Sequence, residues 1–290
     1  MARWCKENGI VTKGHPLVWH NTVPAWAPKE ADKIRRLSKK RVEEIVSRYK
    51  GLINVWDVVN EATVSARVDN AVGRWIKQVG AAEAVGEALD WAYGKNPDGM
   101  LVVNDFNISA AFERLIEELL EKKRPITAIG IQCHMHGGRW PLTKAWQVCE
   151  TYGRFGLPIH FTELTVLSGR RKSREAGRAR GAGWDSTPEG EKMQGEYVPK
   201  FYTVLFSHPA MEAITWWDFS DDGAWQRAPA GLVRKDMSPK PAYDNLMALV
   251  KGKWWTKTKR ETDSAGKAKF HGFYGKYRVT VVTPGARKQT

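Results

Sequence analysis

A chain of 290 residues with 42% hydrophobic and 27% charged content has the length and balance of one large α/β domain, or of a domain with a small appendage. Forty-six Lys and Arg against 32 Asp and Glu leave a formal charge of +14, which favours polyanionic partners. No apolar run is long enough for a membrane span, and three scattered cysteines (Cys5, Cys133, Cys149) exclude a disulfide framework.

In chain order, "MARWCKENGI" lacks the apolar core of a secretory signal and reads as a short helix closed by Gly9. Strand candidates follow at 9–20 ("GIVTKGHPLVWH"), 52–60 ("LINVWDVVN"), 99–105 ("GMLVVND"), 126–134 ("ITAIGIQCH"), 157–164 ("LPIHFTEL") and 212–220 ("EAITWWDFS"). Between them lie helical patterns: "SKKRVEEIVSRYKG" with a stripe through Val42, Ile45, Val46 and Tyr49, then "AAEAVGEALDWAYG", "SAAFERLIEELLEKK", and a long segment opening at Pro188. "RRKSREAGRAR" (170–180) holds six basic residues and no aromatic on which a base could stack, so it reads as a solvated loop and not as a specific nucleic-acid contact. Beyond about residue 250 the pattern changes. "DSAGK" is a turn signal and "KYRVTVV" alternates with period 2, which divides the chain into a barrel at 1–250 and a small β-rich unit at 251–290.

Strand, helix, strand in repetition specifies a parallel sheet covered by helices, and strands apolar throughout are buried on both faces. An open doubly wound sheet and a closed (β/α)8 barrel both satisfy this pattern. No phosphate-binding glycine motif follows any strand. The polar residues His20, Asn60, Glu61, Asn104, Asp105, Gln132, His134, Glu163 and Asp218 gather at the C-terminal ends of different strands, where barrel enzymes carry their chemistry. The expectation is a TIM barrel. With six strands counted, it lacks its first two, so the chain reads as a fragment of a longer frame, of reduced stability or activity.

Two glutamates stand out, Glu61 in "VWDVVNEA" and Glu163 in "HFTEL", each ending an apolar strand. Three strand positions around a barrel place them across one opening, the arrangement that cleaves a glycosidic bond: one carboxyl donates a proton while the other is an ionised nucleophile. Strand alternation puts Asp57, Val59 and Glu61 on one face of their strand and Asn60 on the other. "CHMH" (133–136) has a spacing seen in metal sites, but no companion motif, so a packed strand end is preferred to zinc. His136 and Trp140 suit a loop over the cleft.

The series "GHPLVWHNTVPAW", "WDVVNEA", "VVNDFN", "GIQCH", "FTEL" and "ITWWDFSDDGAW" resembles, in order, strands three to eight of the family-10 endo-β-1,4-xylanases, retaining glycosidases on a TIM barrel. The resemblance implies hydrolysis of xylan with Glu61 as acid/base and Glu163 as nucleophile. It implies sugar contacts from His20, Asn60, Gln132 and His134, walls from Trp217 and Trp225, and no metal or organic cofactor. Asp57 would orient His20, and Asn104 would support the site. Where the family commonly has Asp two residues after the nucleophile this chain has Thr165, which implies an altered pH dependence. Other readings are a related glucanase or mannanase, a non-catalytic carbohydrate-binding fragment, and a nucleic-acid binder. A polymeric substrate implies an extracellular or cell-surface location. Oligomeric state is unspecified.

Overall fold

Helix α1 (Ala2–Glu7) ends at Gly9, whose φ of +67° lets the chain turn into the sheet. The computed structural model describes residues 1–169 and 185–283, with the backbone of 286–289. The basic segment 170–180 lies outside the described residues.

The expected first strand is two short pieces, β1 (Lys13–Gly14) and β2 (Val18–Trp19), both parallel to β3 (Val55–Asn60). Pro16 lies between them and has no N–H for the ladder. The sheet continues through β4 (Met100–Asp105) and β5 (Ala128–Ile131). A short piece, β6 (His134–Met135), prolongs β5, and both pair with β7 (Ile159–Val166), which also pairs with β8 (Met211–Trp216). Every pairing in this sheet is parallel.

Helices α2 (Ala31–Tyr49), α3 (Ala62–Ser65), α4 (Ala71–Val79), α5 (Ala81–Lys95), α6 (Ala110–Glu121), α7 (Leu142–Gly153), α8 (Pro188–Phe206) and α9 (Pro241–Met247) alternate with these strands. Their apolar stripes close over the outer face, as with Val42 and Val46 of α2 and Phe112, Leu115 and Leu119 of α6. Helix α2 starts at Ala31, before the expected Ser38, and α3, α4, α7 and α9 lie outside the helical patterns read from the sequence. Helix α4 is short and bounded by Gly80, but Asn70 caps it by accepting from Gly73 N at 2.9 Å.

Three strand positions separate β3 from β7, as expected of two carboxylates facing across a barrel. Among the described residues β8 pairs only with β7, and β1 and β2 only with β3, so the structure is a partial (β/α)8 barrel. Glu212 and Thr215 on β8 are exposed, whereas every residue of β7 is buried. No described helix is long and apolar enough to cross a membrane.

Past Met247, Trp254 stacks on Phe206 at the end of α8 with ring centroids 4.0 Å apart, and Phe273 meets the same ring at 5.4 Å. Asp263 folds the "DSAGK" turn by accepting from Ala265 and Lys267 N–H, both at 2.9 Å. The chain ends in an antiparallel hairpin of β9 (Thr280–Thr283) and β10 (Ala286–Gln289). Residues 257–283 are all exposed, so this part rests on the barrel through its aromatic contacts and has no core of its own.

Candidate active site

Two non-glycine residues with positive φ shape the site. Glu61 (φ +57°) ends β3 and Cys133 (φ +63°) separates β5 from β6. Such conformations cost about 1–3 kcal/mol each and persist where the surroundings enforce them. At Glu61 the enforcement is visible. Its N–H donates to Asn104 O at 2.8 Å and its C=O accepts from Ser65 Oγ at 2.8 Å. Asp105 Oδ2 accepts from Thr63 N at 3.1 Å and from Thr63 Oγ1 at 3.0 Å.

The expected alternation along β3 fails here. The β3–β4 register shifts between Asp57 and Val59, and the left-handed turn at Glu61 follows, so Asn60 and Glu61 enter the same network. The break at Cys133 acts similarly: the thiol side is buried, while Gln132 and His134 both reach carboxylates.

The two glutamates are joined by four hydrogen bonds through three amides. Gln132 Nε2 donates to Glu61 Oε1 at 3.1 Å and to Asn60 Oδ1 at 3.0 Å. Asn104 Nδ2 donates to the same Asn60 Oδ1 at 2.9 Å and to Glu163 Oε1 at 2.7 Å. Asn60 Nδ2 adds a bond to Glu61 Oε1 at 3.2 Å. The amide donors point towards the carboxylates, and Thr162 Oγ1 fixes the Asn104 amide by donating to its Oδ1 at 2.6 Å. Asn104 passes over Gly130, where a Cβ would stand 2.6 Å from Asn104 Oδ1.

Around Glu163 the remaining neighbours are two imidazoles and two indole rings. His134 Nε2 lies 2.8 Å from Oε2, and His15 Nδ1 lies 3.9 Å from Oε1. Trp217 meets both imidazoles edge-on, at 5.4 Å from His15 and 5.8 Å from His134. Trp225 lies against His134 at 4.7 Å and His136 at 5.0 Å. Trp217 and Trp225 are 37% and 46% exposed, so part of each ring is open to solvent.

Glu61 has a different neighbourhood. His20 Nε2 stands 3.7 Å from its Oε2, and His20 Nδ1 is 2.7 Å from Ser65 Oγ. Because the Ser65 hydroxyl gives its proton to Glu61 O, Ser65 Oγ accepts from His20 Nδ1–H, and the lone pair of Nε2 faces Glu61. Burial lowers the pKa of His20, with the Glu61 charge pulling it back up, so the imidazole favours its neutral form.

One expectation needs correction. Asp57 does not orient His20. Its Oδ2 accepts from His15 Nδ1 at 2.8 Å and its Oδ1 pairs with Lys13 Nζ at 2.7 Å, because β1 lies beside it while His20 sits past the strand end against α3. His15 is therefore a site residue that the sequence reading missed; a His–Asp pair one strand apart was the available signal. Thr165 Oγ1 lies 3.4 Å from His134 Nδ1, at the long limit for a hydrogen bond. Trp140 packs on Phe161 and Phe201 and belongs to the core, whereas His136 stands in the ring row of the cleft. No cluster among the described residues could hold a metal ion.

Residues 1–249 match the model of glycosyl hydrolase family 10. Endo-1,4-beta-xylanase B of Thermotoga neapolitana is 29% identical over 262 residues, covering 85% of this chain and 71% of that protein. Endo-1,4-beta-xylanase A of Caldicellulosiruptor sp. is 28% identical over 268 residues, 84% of this chain, although the match spans only 38% of that longer protein. Native xylanase 10B from Thermotoga maritima superposes with a TM-score of 0.72 at 27% identity, covering 87% of this chain and 78% of its own. With a family match over most of its length, two glutamates on the expected strands, and the fold of its structural relatives, the chain belongs to glycosyl hydrolase family 10.

Proposed function

We propose that the chain hydrolyses internal β-1,4 bonds of xylan with retention of configuration, Glu163 acting as nucleophile and Glu61 as acid/base. The observation that carries this reading is the amide network that joins both carboxylates yet gives them unlike surroundings. Glu163, 4% exposed, accepts from Asn104 and lies against two imidazoles, an environment suited to an anion. Glu61 faces a neutral imidazole lone pair, an environment suited to a carboxyl that carries a proton.

Glu163 Oε attacks the anomeric carbon as Glu61 gives its proton to the departing glycosidic oxygen, forming a glycosyl ester. Glu61, now ionised, takes a proton from water, which attacks the same carbon and releases Glu163. Asn60 holds the sugar 2-hydroxyl beside the reacting carbon. His15, His20, Gln132 and His134 line the same sugar site, with Trp217 and Trp225 as stacking walls. Residues 251–290 form an appended β unit. A polymeric substrate places the enzyme outside the cell or on its surface.

The test is product analysis with mechanism-based trapping. Proton NMR of early xylan products should show the β-anomer first. A 2-deoxy-2-fluoro-β-xylobioside with an activated leaving group should become esterified to Glu163. Early α-anomer, or an adduct elsewhere, would reject the assignment. Faster sugar release from a β-glucan or mannan on the same panel would move the substrate class.

A further inference from the structure

We propose that Lys240 is a positioning residue for this reaction: through Asp221 it clamps the base of the loop after β8 and so holds the Trp225 wall in the cleft. The proposal rests on the functional reading above, in which Trp225 stacks on a sugar ring. Lys240 is fully buried at the entrance to α9, and its ammonium meets three oxygens. Nζ donates to Asp221 Oδ1 at 2.8 Å and to Ser168 Oγ at 2.9 Å, and it stands 2.7 Å from Asp221 Oδ2. Burial lowers the pKa of this lysine, and the hydrogen bond and charge of Asp221 oppose the shift. A buried charge without its partner is costly, so the two side chains stand or fall together.

The contacts of Lys240 gather both limbs of the loop. Ser168, two residues past the end of β7, donates to Pro229 O from its N–H at 2.9 Å and from its hydroxyl at 3.0 Å. Asp221 lies on the outgoing limb and reaches the returning one. Its Oδ1 accepts from Gly231 N at 2.8 Å, and its N–H donates to Val233 O at 3.1 Å. The limbs touch so closely that a Cβ at Gly231 would stand 2.5 Å from Asp221 N. Beyond this base the tip is strained. Gln226 and Arg227, directly after Trp225, have φ of +57° and +53°, two non-glycine residues in succession in the left-handed region. Such conformations persist where the surroundings enforce them. At the tip, Asp218 Oδ1 accepts from Trp225 N at 3.0 Å, and the Trp225 ring lies 4.7 Å from His134 and 5.0 Å from His136. A fixed base keeps the strained tip, and with it the indole, against those rings.

The experiment combines Lys240→Met with Asp221→Asn, which removes both charges and strands neither. Asparagine keeps an oxygen that accepts from Gly231 N. On xylo-oligosaccharides KM should rise about tenfold while kcat changes by less than about twofold, because ring contacts are worth up to roughly a tenfold change in affinity and the groups around Glu163 are untouched. Leu89→Ala, a truncation of a fully buried side chain in α5, controls for lost stability, and its KM should stay unaltered. A double variant with the KM of the unaltered chain, or a KM shift shared by Leu89→Ala, overturns the proposal. A second readout does not depend on turnover. The Trp225 indole 15N–H resonance, assigned by its loss in Trp225→Phe, should move in the double variant. It should also move in Ser168→Ala, a milder change that keeps the ion pair, and stay in place in Leu89→Ala. If no glycan is cleaved, the functional reading fails and this resonance still decides the clamp. An indole resonance unmoved in both variants overturns the proposal whatever the activity.

Discussion

Asn104 Nδ2 stands 2.7 Å from Glu163 Oε1 and is the last link of a hydrogen-bonded path that begins at Glu61. A single amide nitrogen therefore serves the buried carboxylate and, through Asn60, the placement of the other glutamate. Hydrogen bonds to charged groups are worth about 1.5–3 kcal/mol. Asn104→Ala should lower kcat/KM on xylan by roughly tenfold to a hundredfold. Asn104→Asp should do more harm, since it sets a second carboxylate beside Glu163. Steady-state rates with a thermal melt on each variant check this; an Asn104→Ala enzyme of normal rate would remove Asn104 from the site.

Gly130 tests the same link from behind. A methyl group there would lie 2.6 Å from Asn104 Oδ1 and 3.1 Å from its Cα, so a backbone atom as well as a side chain would have to yield. Overpacking of this kind costs about 1–3 kcal/mol. Gly130→Ala should therefore lower the melting temperature and also reduce kcat/KM in the manner of Asn104→Ala. Loss of stability with unaltered kinetics in the folded fraction would show that the amide can relocate without consequence.

How far the sequence could be read depends on the physics of each element. The six strand positions were legible because strands buried on both faces are continuous apolar runs, and Glu61, Asn104 and Gln132 were legible as polar residues at or just past the end of such a run, whereas Glu163, expected at a strand end, lies inside β7, which runs on to Val166. His15 was not, since it sits within its run beside Pro16, and its partner Asp57 is 42 residues away. Strict alternation also misplaces Asn60, because one register shift in β3 and a left-handed Glu61 reverse the local parity. Trp217 and Trp225 both lie against His134, and the sequence carries no signal for the hydrogen bond by which Asp218 holds the Trp225 backbone.

The two carboxylates should fail differently. On the proposed mechanism Glu163→Ala removes the nucleophilic oxygen and should abolish turnover of every substrate; added azide should then yield the α-glycosyl azide. On the same mechanism Glu61→Ala removes the proton donor, which matters most for a poor leaving group. Its rate on xylan should fall by at least about a hundredfold, while bond cleavage in an aryl β-xylobioside with an acidic phenol should be far less affected. Equal losses on both substrates would argue against the assignment of the acid.

His136 provides a pH test of stability. Burial beside Trp225 and the neighbouring His134 push its pKa from 6.5 down to about 4, with a hydrogen bond to Gln226 opposing the shift. The folded protein thus binds this proton less readily than the unfolded chain does. The neutral ring's contribution is complete above the unfolded value near 6.5 and is lost as the pH falls towards 4. Allowing for partial exposure, the loss amounts to about 2 kcal/mol. Buried Asp105 and Asp218, whose pKa values are raised, act in the opposite sense, so the measurement is a difference. Denaturant midpoints of His136→Phe should decline less between pH 6.5 and 4 than those of the unaltered chain; parallel declines would assign the acid sensitivity elsewhere.

Charge beyond the barrel gives the last prediction. Residues 251–290 contain eleven Lys and Arg against Glu261 and Asp263, a net nine of the chain's fourteen excess positive charges. The same stretch exposes Trp255 and Tyr274, so flat rings stand among cations. A xylan bearing uronic acid groups offers both a charge and a sugar face to such a surface. Screening shortens the reach of those charges from about 30 Å at 0.01 M salt to about 3 Å at 1 M. Binding to an acidic xylan should therefore weaken steeply with added salt, and binding to a neutral arabinoxylan should not. Replacing Lys257, Lys259, Lys267 and Lys269 with Gln should flatten the first dependence and leave turnover of short neutral xylo-oligosaccharides unaltered, because those residues lie outside the cleft. An affinity for acidic xylan that ignores both salt and these substitutions would show that the excess charge has no part in holding the polymer.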